Sequence, residues 1–372
     1  MKKVFGAILI LWVVSLLTSA YIAPRFIPDT LFIGSRNSFD ERLPQWLYDN
    51  RMPRWIWMWA NLDGNHYLSI ARNGYYEFEN GFFPLYPLAI RVVANLSGLP
   101  FLLSGLLVTY TSFILFLKLL LRLLRLDFTD QASNQVIRWI IGFPVAFYLI
   151  AIYNDALFLF LTVGCFYAVR KSKWWPGGIL GGLAALTRFP GIAIFPALLI
   201  EWWSGKRRIR DLIPVFFIPL STLSYFLYLH IWERDWNLFV TSMSVWRQDR
   251  FVLPIQTAYR YFKIFASVSP NSLMYFLALA EFSAVVFAIV VLIKGFKLIR
   301  RSYWVYAVSY LLIPMSGGTF QGMPRYIIHA FPVILIFSLL TVKSRWRYLV
   351  MGGFFVLQLI FMAFFSQGYF IS

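Results

Sequence analysis

The sequence predicts an all-α polytopic membrane protein, a bundle of about eleven transmembrane helices (range about 9–13) with a cytoplasmic N-terminus. Three observations lead there. Of the 372 residues 60% are hydrophobic and only 13% charged, against roughly 45–50% and 25% in a soluble domain. Apolar stretches approaching the ~20 residues that cross a bilayer recur along the chain. The net charge of +18 comes from Lys and Arg gathered at alternate connections between those stretches. A chain with 38 Phe, 21 Tyr and 15 Trp can bury a core, so disorder is excluded. The single cysteine, Cys165, excludes a disulfide scaffold and a thiolate metal site, and three scattered histidines (His66, His230, His329) argue against a zinc cluster.

In order, the expected spans are 4–23, 99–121, 134–151, 156–169, 175–188, 191–204, 212–231, 273–293, 303–316, 326–341 and 348–366. Several are short and carry prolines, among them Pro144, Pro190, Pro314 and Pro332, which packing inside a bundle tolerates. The first could be read as a signal peptide with Thr18-Ser19-Ala20 as cleavage site, but its long apolar run favours a retained anchor. Basic clusters fall at Lys118/Arg122/Arg125, Arg170/Lys171/Lys173, Lys206/Arg207/Arg208/Arg210, Lys294/Lys297/Arg300/Arg301 and Lys343/Arg345/Arg347. By the positive-inside rule these connections are cytoplasmic. Twenty of the 34 Lys and Arg then face the cytoplasm against four acids (Asp127, Asp130, Glu201, Asp211), so topology explains the charge and no nucleic-acid partner is needed.

Segments 24–98, 152–155, 189–190, 232–272, 317–325 and the C-terminus are expected on the outer or lumenal side. The two long ones are rich in aromatics, including Trp46, Trp55, Trp57, Trp59, Trp232, Trp236 and Trp246, so interfacial helices are expected there. Residues 1–372 read as one integral membrane domain without internal repeats. Glu281, near the middle of the eighth span, is an intramembrane acid and a functional candidate by default. A hydrogen bond to a neighbouring helix explains it equally well. His230, His329 and Cys165 read as packing residues.

In the first outer loop, residues 61–75 read as a short helix between a capping Asp63 and a terminating Gly74, with Asp63 and His66 three apart on one face. The pattern Asp63-x2-His66-Tyr67-x2-Ile70-Ala71-x2-Gly74-Tyr75, followed by Gly81-Phe82-Phe83-Pro84-Leu85-Tyr86-Pro87, resembles the GPI mannosyltransferase II (PIG-V)-like family. The resemblance is to a prokaryotic-type member of that family, within the GT-C superfamily of polytopic glycosyltransferases. It continues through Pro144…Phe147-Tyr148 with Tyr153-Asn154-Asp155-Ala156-Leu157-Phe158, through Ala184-Ala185-Leu186-Thr187-Arg188…Gly191, and through Met323-Pro324-Arg325-Tyr326…Phe331-Pro332. Leu62 stands where the family has Trp, and Asp155 where it has Glu.

The resemblance implies a GT-C-type bundle that moves a sugar, typically mannose, from a polyprenyl- or dolichyl-phosphate donor to a lipid, glycan or protein acceptor at the non-cytoplasmic face. It implies Asp63 as catalytic base and Asp155 as a second catalytic candidate, an acceptor-orienting group or the partner of an Arg. Arg188 and Arg325 are expected at the donor phosphate, where a guanidinium forks onto two oxygens, joined by Arg247 of the second long loop. His66, Tyr153, Asn154 and Tyr326 are expected to contact substrate. Such a displacement needs one base and no glycosidase-type carboxylate pair. No cofactor or metal is expected. The short loops point to a prokaryotic plasma membrane rather than the endoplasmic reticulum. Competing readings are a transferase of another lipid-linked sugar (glucose, galactose or arabinose) and a non-catalytic transporter or flippase.

Overall fold

The computed structural model describes residues 2–28, 52–76, 78–205, 208–246 and 248–371, and among these every regular element is a helix. The longer ones are α1 (Lys2–Ile22), α2 (Asp63–Asn73), α3 (Leu85–Ser97), α4 (Phe101–Leu124), α5 (Asp130–Ile141), α6 (Asp155–Arg170), α7 (Trp174–Ala185) and α8 (Ile194–Ser204). They continue with α9 (Phe217–Glu233), α10 (Pro254–Ser267), α11 (Leu273–Gly295), α12 (Arg301–Met315), α13 (Met323–His329), α14 (Phe331–Thr341) and α15 (Arg347–Ser366).

Among the described residues, five helical segments are long and apolar enough to cross a membrane: Gly6–Arg25, Phe101–Leu124, Ile209–Trp232, Leu273–Gly295 and Arg347–Ser366. The pair α13 and α14, bent by 82° at Ala330, makes a sixth if it is one span. Helices lie at the other expected spans too, but at ~1.5 Å per residue α6, α7, α8 and α12 are individually short for a hydrocarbon core of ~30 Å. The expected continuous helix over 134–151 is broken. α5 stops at Ile141, and after Gly142-Phe143-Pro144 the chain resumes as a 3-10 turn over Ala146–Leu149. Proline removes a donor and excludes the helical conformation before it, and buried Gln358 of α15 compensates by donating to the carbonyls of Ile141 and Phe143 at 3.0 and 2.7 Å. The same side chain accepts from Trp12 Nε1 at 2.8 Å, tying α1 to the group.

Without water to drive helix association, close approach depends on small residues. In α7, Gly178 and Gly182 lie one turn apart against Pro214 to Ser221, and a Cβ added at Gly178 would meet the Pro214 carbonyl oxygen at 2.0 Å. Gly178→Ala is therefore expected to cost about 1–3 kcal/mol by overpacking. Gly352→Ala, with nothing within 4 Å of its Cβ, is the helical control. Thermal unfolding in detergent compares the two, and equal melting temperatures would show that α7 can move away from the Pro214 turn freely.

α6 spans the distance between two polar centres. At its C-terminal end Arg170 donates to both oxygens of Asp127 (2.5 and 2.8 Å) and to Tyr303 Oη (2.9 Å), while Arg300 and Ser302 donate to Glu201 at 2.8 and 2.6 Å. These groups clasp connections that the charge pattern assigns to the cytoplasm. At its N-terminal end, roughly 22 Å away at ~1.5 Å per residue, stands Asp155.

Candidate active site

The chain enters α2 through a turn in which Leu62 has φ 59° and ψ −122°, a left-handed conformation that a residue with a Cβ holds only when its neighbours impose it. Asn61 imposes it: its side chain donates to the Phe365 carbonyl at 2.9 Å, and its own carbonyl accepts from Tyr153 Oη at 2.9 Å. Ile152 N–H also donates to the Trp59 carbonyl at 2.8 Å. Asp63 is thereby set as the first residue of the helix and does not cap it; the cap position belongs to Leu62, without a side-chain bond. The carboxylate is left to point elsewhere.

It points at Arg325, whose Nη1 donates to Asp63 Oδ2 at 3.0 Å. Arg325 rises from α13, a seven-residue helix entered through Gly322 at φ 83°, a conformation that suits glycine. Its Nε and Nη2 donate to the two oxygens of Asp155 at 2.8 and 3.0 Å, the bidentate geometry of a strong pair. The rings of Tyr153 and Tyr148 face the guanidinium at 4.5 and 4.9 Å. His329, one turn on, places Nε2 at 2.6 Å from Asp155 Oδ1, and Arg188 Nη1 lies 3.7 Å from the same oxygen. Burial pushes Asp155 up, but Arg325, His329 and Arg188 outweigh it and hold its carboxyl well below the usual carboxylate range.

A cavity of about 640 Å³ opens beside this group. Asp63, Asn154, Arg188, Arg325 and Tyr326 all line it, as do Trp246, Gln248, Asp249 and Arg250 of the second long loop. Arg247 lies outside the described residues, as do Trp46, Lys206 and Arg207. Asp155 is 1% exposed and does not line the cavity; the structure places it as the partner of Arg325, one of its expected roles. Tyr153 corrects its expectation as a substrate contact: fully buried, it packs under Arg325 and bonds to Asn61. His66 also departs from its expected place. It turns away from Asp63, pairing through Nδ1 with Glu79 at 3.1 Å and stacking on Phe82, because α2 buries that face against the loop that follows.

Asp63 has a second oxygen, Oδ1, with no hydrogen-bond partner among the described residues. Arg188 is likewise unspent: its Nη1 lies 2.7 Å from the His329 ring nitrogens, but its Nε has no partner among the described residues. The ring of Tyr326 holds its guanidinium from one side at 5.2 Å. Two residues that the sequence reading left out belong here. His329, expected to pack in an apolar segment, has polar partners on both ring nitrogens. Glu79, in the loop after α2, is buried and holds both His66 and the Tyr76 N–H. A histidine four residues after an arginine on one short helix was the available signal for the first; Glu79 had none. Glu281 meets Tyr261 Oη at 2.5 Å, and Tyr261 in turn accepts from Phe320 N–H at 3.0 Å, so this acid braces the loop leading into α13.

Among the described residues no group of three or more His, Cys, Asp or Glu is placed to hold a metal ion. The family model for mannosyltransferase (PIG-V) matches residues 8–204, a segment that carries Asp63, Asp155 and Arg188. Over 149 residues the chain is 34% identical to GPI alpha-1,6-mannosyltransferase 2 of Mus musculus, covering 37% of this chain and 30% of the mouse protein. It is 32% identical, over the same length and the same shares, to the proteins of that name from Rattus norvegicus and Cricetulus griseus. The chain thus spans about 30% of the length of these curated relatives. No solved structure matches it.

Proposed function

The chain belongs to the PIG-V mannosyltransferase family, and from that premise we propose that it transfers mannose from a polyprenyl- or dolichyl-phosphate donor to a lipid, glycan or protein hydroxyl. The observation that carries the reading is the cavity wall, where a carboxylate with a spare oxygen, Asp63, and a guanidinium with spare donors, Arg188, share one space with Arg325 between two acids.

The chemistry follows from those groups. The acceptor oxygen attacks the anomeric carbon while the bond from that carbon to the phosphate oxygen breaks, and the acceptor proton passes to Asp63 Oδ1. The lipid phosphate departs with the bonding electrons, its negative charge met by Arg188 and by the Nη1 edge of Arg325. Attack from the face opposite the leaving group inverts the anomeric centre. Because phosphate leaves without protonation and guanidinium supplies the positive charge, the proposal includes no metal and no cofactor.

In this reading the eleven helical stretches cross the membrane with the N-terminus and the Asp127–Arg170–Glu201 clasp in the cytoplasm. Residues 24–98 and 232–272 then form outer, interfacial walls of the site, all within one domain. The membrane is proposed to be a prokaryotic plasma membrane, in line with the short connections. Protein reconstituted in lipid nanodiscs with polyprenyl-phosphate mannose, glucose, galactose or arabinose and a membrane-lipid extract tests the proposal. Transfer from the mannose donor is expected. Transfer only from another sugar would replace mannose by that sugar, and no transfer from any donor would favour a carrier of lipid-linked sugar.

A further inference from the structure

We propose that His329 is a positioning residue that aims Arg188 at the phosphate of the lipid-linked donor. The proposal rests on the transferase reading for the identity of that phosphate. His329 is 0% exposed and ends α13 where the chain bends by 82°. Its Nε2 lies 2.6 Å from Asp155 Oδ1, an ionised acceptor, so Nε2 must carry hydrogen and donate. Arg188 Nη1 lies 2.7 Å from both ring nitrogens and can only donate, so with the Nε2 hydrogen given to Asp155 the nitrogen left to accept is Nδ1. These partners specify one neutral tautomer. The imidazole is anchored on Asp155 through Nε2, and Arg188 Nη1 rests against the ring equally near both nitrogens.

Neutrality gives the bridge its use. Asp155 already balances Arg325 bidentately, so a neutral tether leaves Arg188 with Asp155 at 3.7 Å as its nearest carboxylate among the described residues. A carboxylate at position 329 would quench that charge; an apolar ring would leave the side chain free to rotate. The histidine fixes the direction of the guanidinium without adding a charge to a site in which Asp63 and Asp155 already stand against Arg188 and Arg325.

Three substitutions separate positioning from packing. His329→Phe keeps the ring that meets Phe158 and Tyr310 edge-on at 5.5 and 5.9 Å but removes both polar arms. His329→Gln loses the ring but offers a donor and an acceptor at the histidine's reach. His329→Asn has the same chemistry one methylene shorter. Binding of undecaprenyl phosphate to nanodisc-embedded protein, read by native mass spectrometry, is expected to be nearly unchanged in His329→Gln. In His329→Phe and His329→Asn it is expected to weaken by roughly tenfold, the worth of one hydrogen bond to a charged group. A packing role predicts the opposite order, with Phe equal to or better than Gln; that result, equal behaviour of Gln and Asn, or no lipid-phosphate binding by the unsubstituted protein would overturn the proposal. If binding follows the expected order while no sugar is transferred, the transferase reading fails and the positioning role stands.

Discussion

Asp63→Asn is expected to lower kcat for mannosyl transfer by about 10²–10⁴, the range a positioned general base supplies, with the melting temperature nearly unchanged. The asparagine oxygen can still accept from Arg325 Nη1, as Asp63 Oδ2 does at 3.0 Å, and the turn at Leu62 that sets the residue is held by Asn61, Tyr153 and Phe365 rather than by the carboxylate. What the amide lacks is basicity. Removing a negative charge beside the arginines also favours an anion, so the KM for the lipid-phosphate donor is expected to stay level or fall. Steady-state kinetics on wild type and variant read the two constants separately. Equal kcat would remove Asp63 as base, whereas a raised donor KM at constant kcat would reassign it to donor binding.

The second large effect concerns stability. Asp155→Asn keeps shape but strips the counter-charge from two guanidiniums, one in bidentate contact and one 3.7 Å away, at a site 1% exposed. Breaking such a buried pair from one side costs about 3–5 kcal/mol, so a steep fall in melting temperature or in folded yield is expected. Adding Arg325→Gln should return part of the loss, because it removes the buried guanidinium that Asp155 held bidentately and that the first substitution leaves with Asp63 as its carboxylate partner. Strict additivity of the two would mean that Asp155 and Arg325 are not energetically coupled.

Long apolar runs made helices such as α4, α11 and α15 legible to within a few residues, since each run has only one way to satisfy its backbone in lipid. The break between Ile141 and Ala146 was not legible. Pro144 hinted at it, but the rescue comes from Gln358, more than 200 residues away in sequence. The site divides along the same line. Family motifs brought Asp63, Asp155, Arg188 and Arg325 into view one at a time, and the alternating charges put them on one face. That Asp155 is spent on Arg325 while Asp63 keeps a free oxygen depends on contacts across 170 and 262 residues, which no spacing encodes. Tyr153 and His66 were misread because the direction of a side chain on a buried face follows from its neighbours: Asn61 for one, Glu79 for the other.

The seven residues of α13 are bounded by a left-handed glycine at one end and a sharp bend at the other, and they carry Arg325 and His329 on one side, one turn apart. A single carboxylate on another helix receives both. Sliding α13 by one residue turns it by ~100°, which would carry both side chains away together and strand a bare anion in the interior. One buried carboxylate therefore specifies the register of a segment too short for its apolar face alone to fix it.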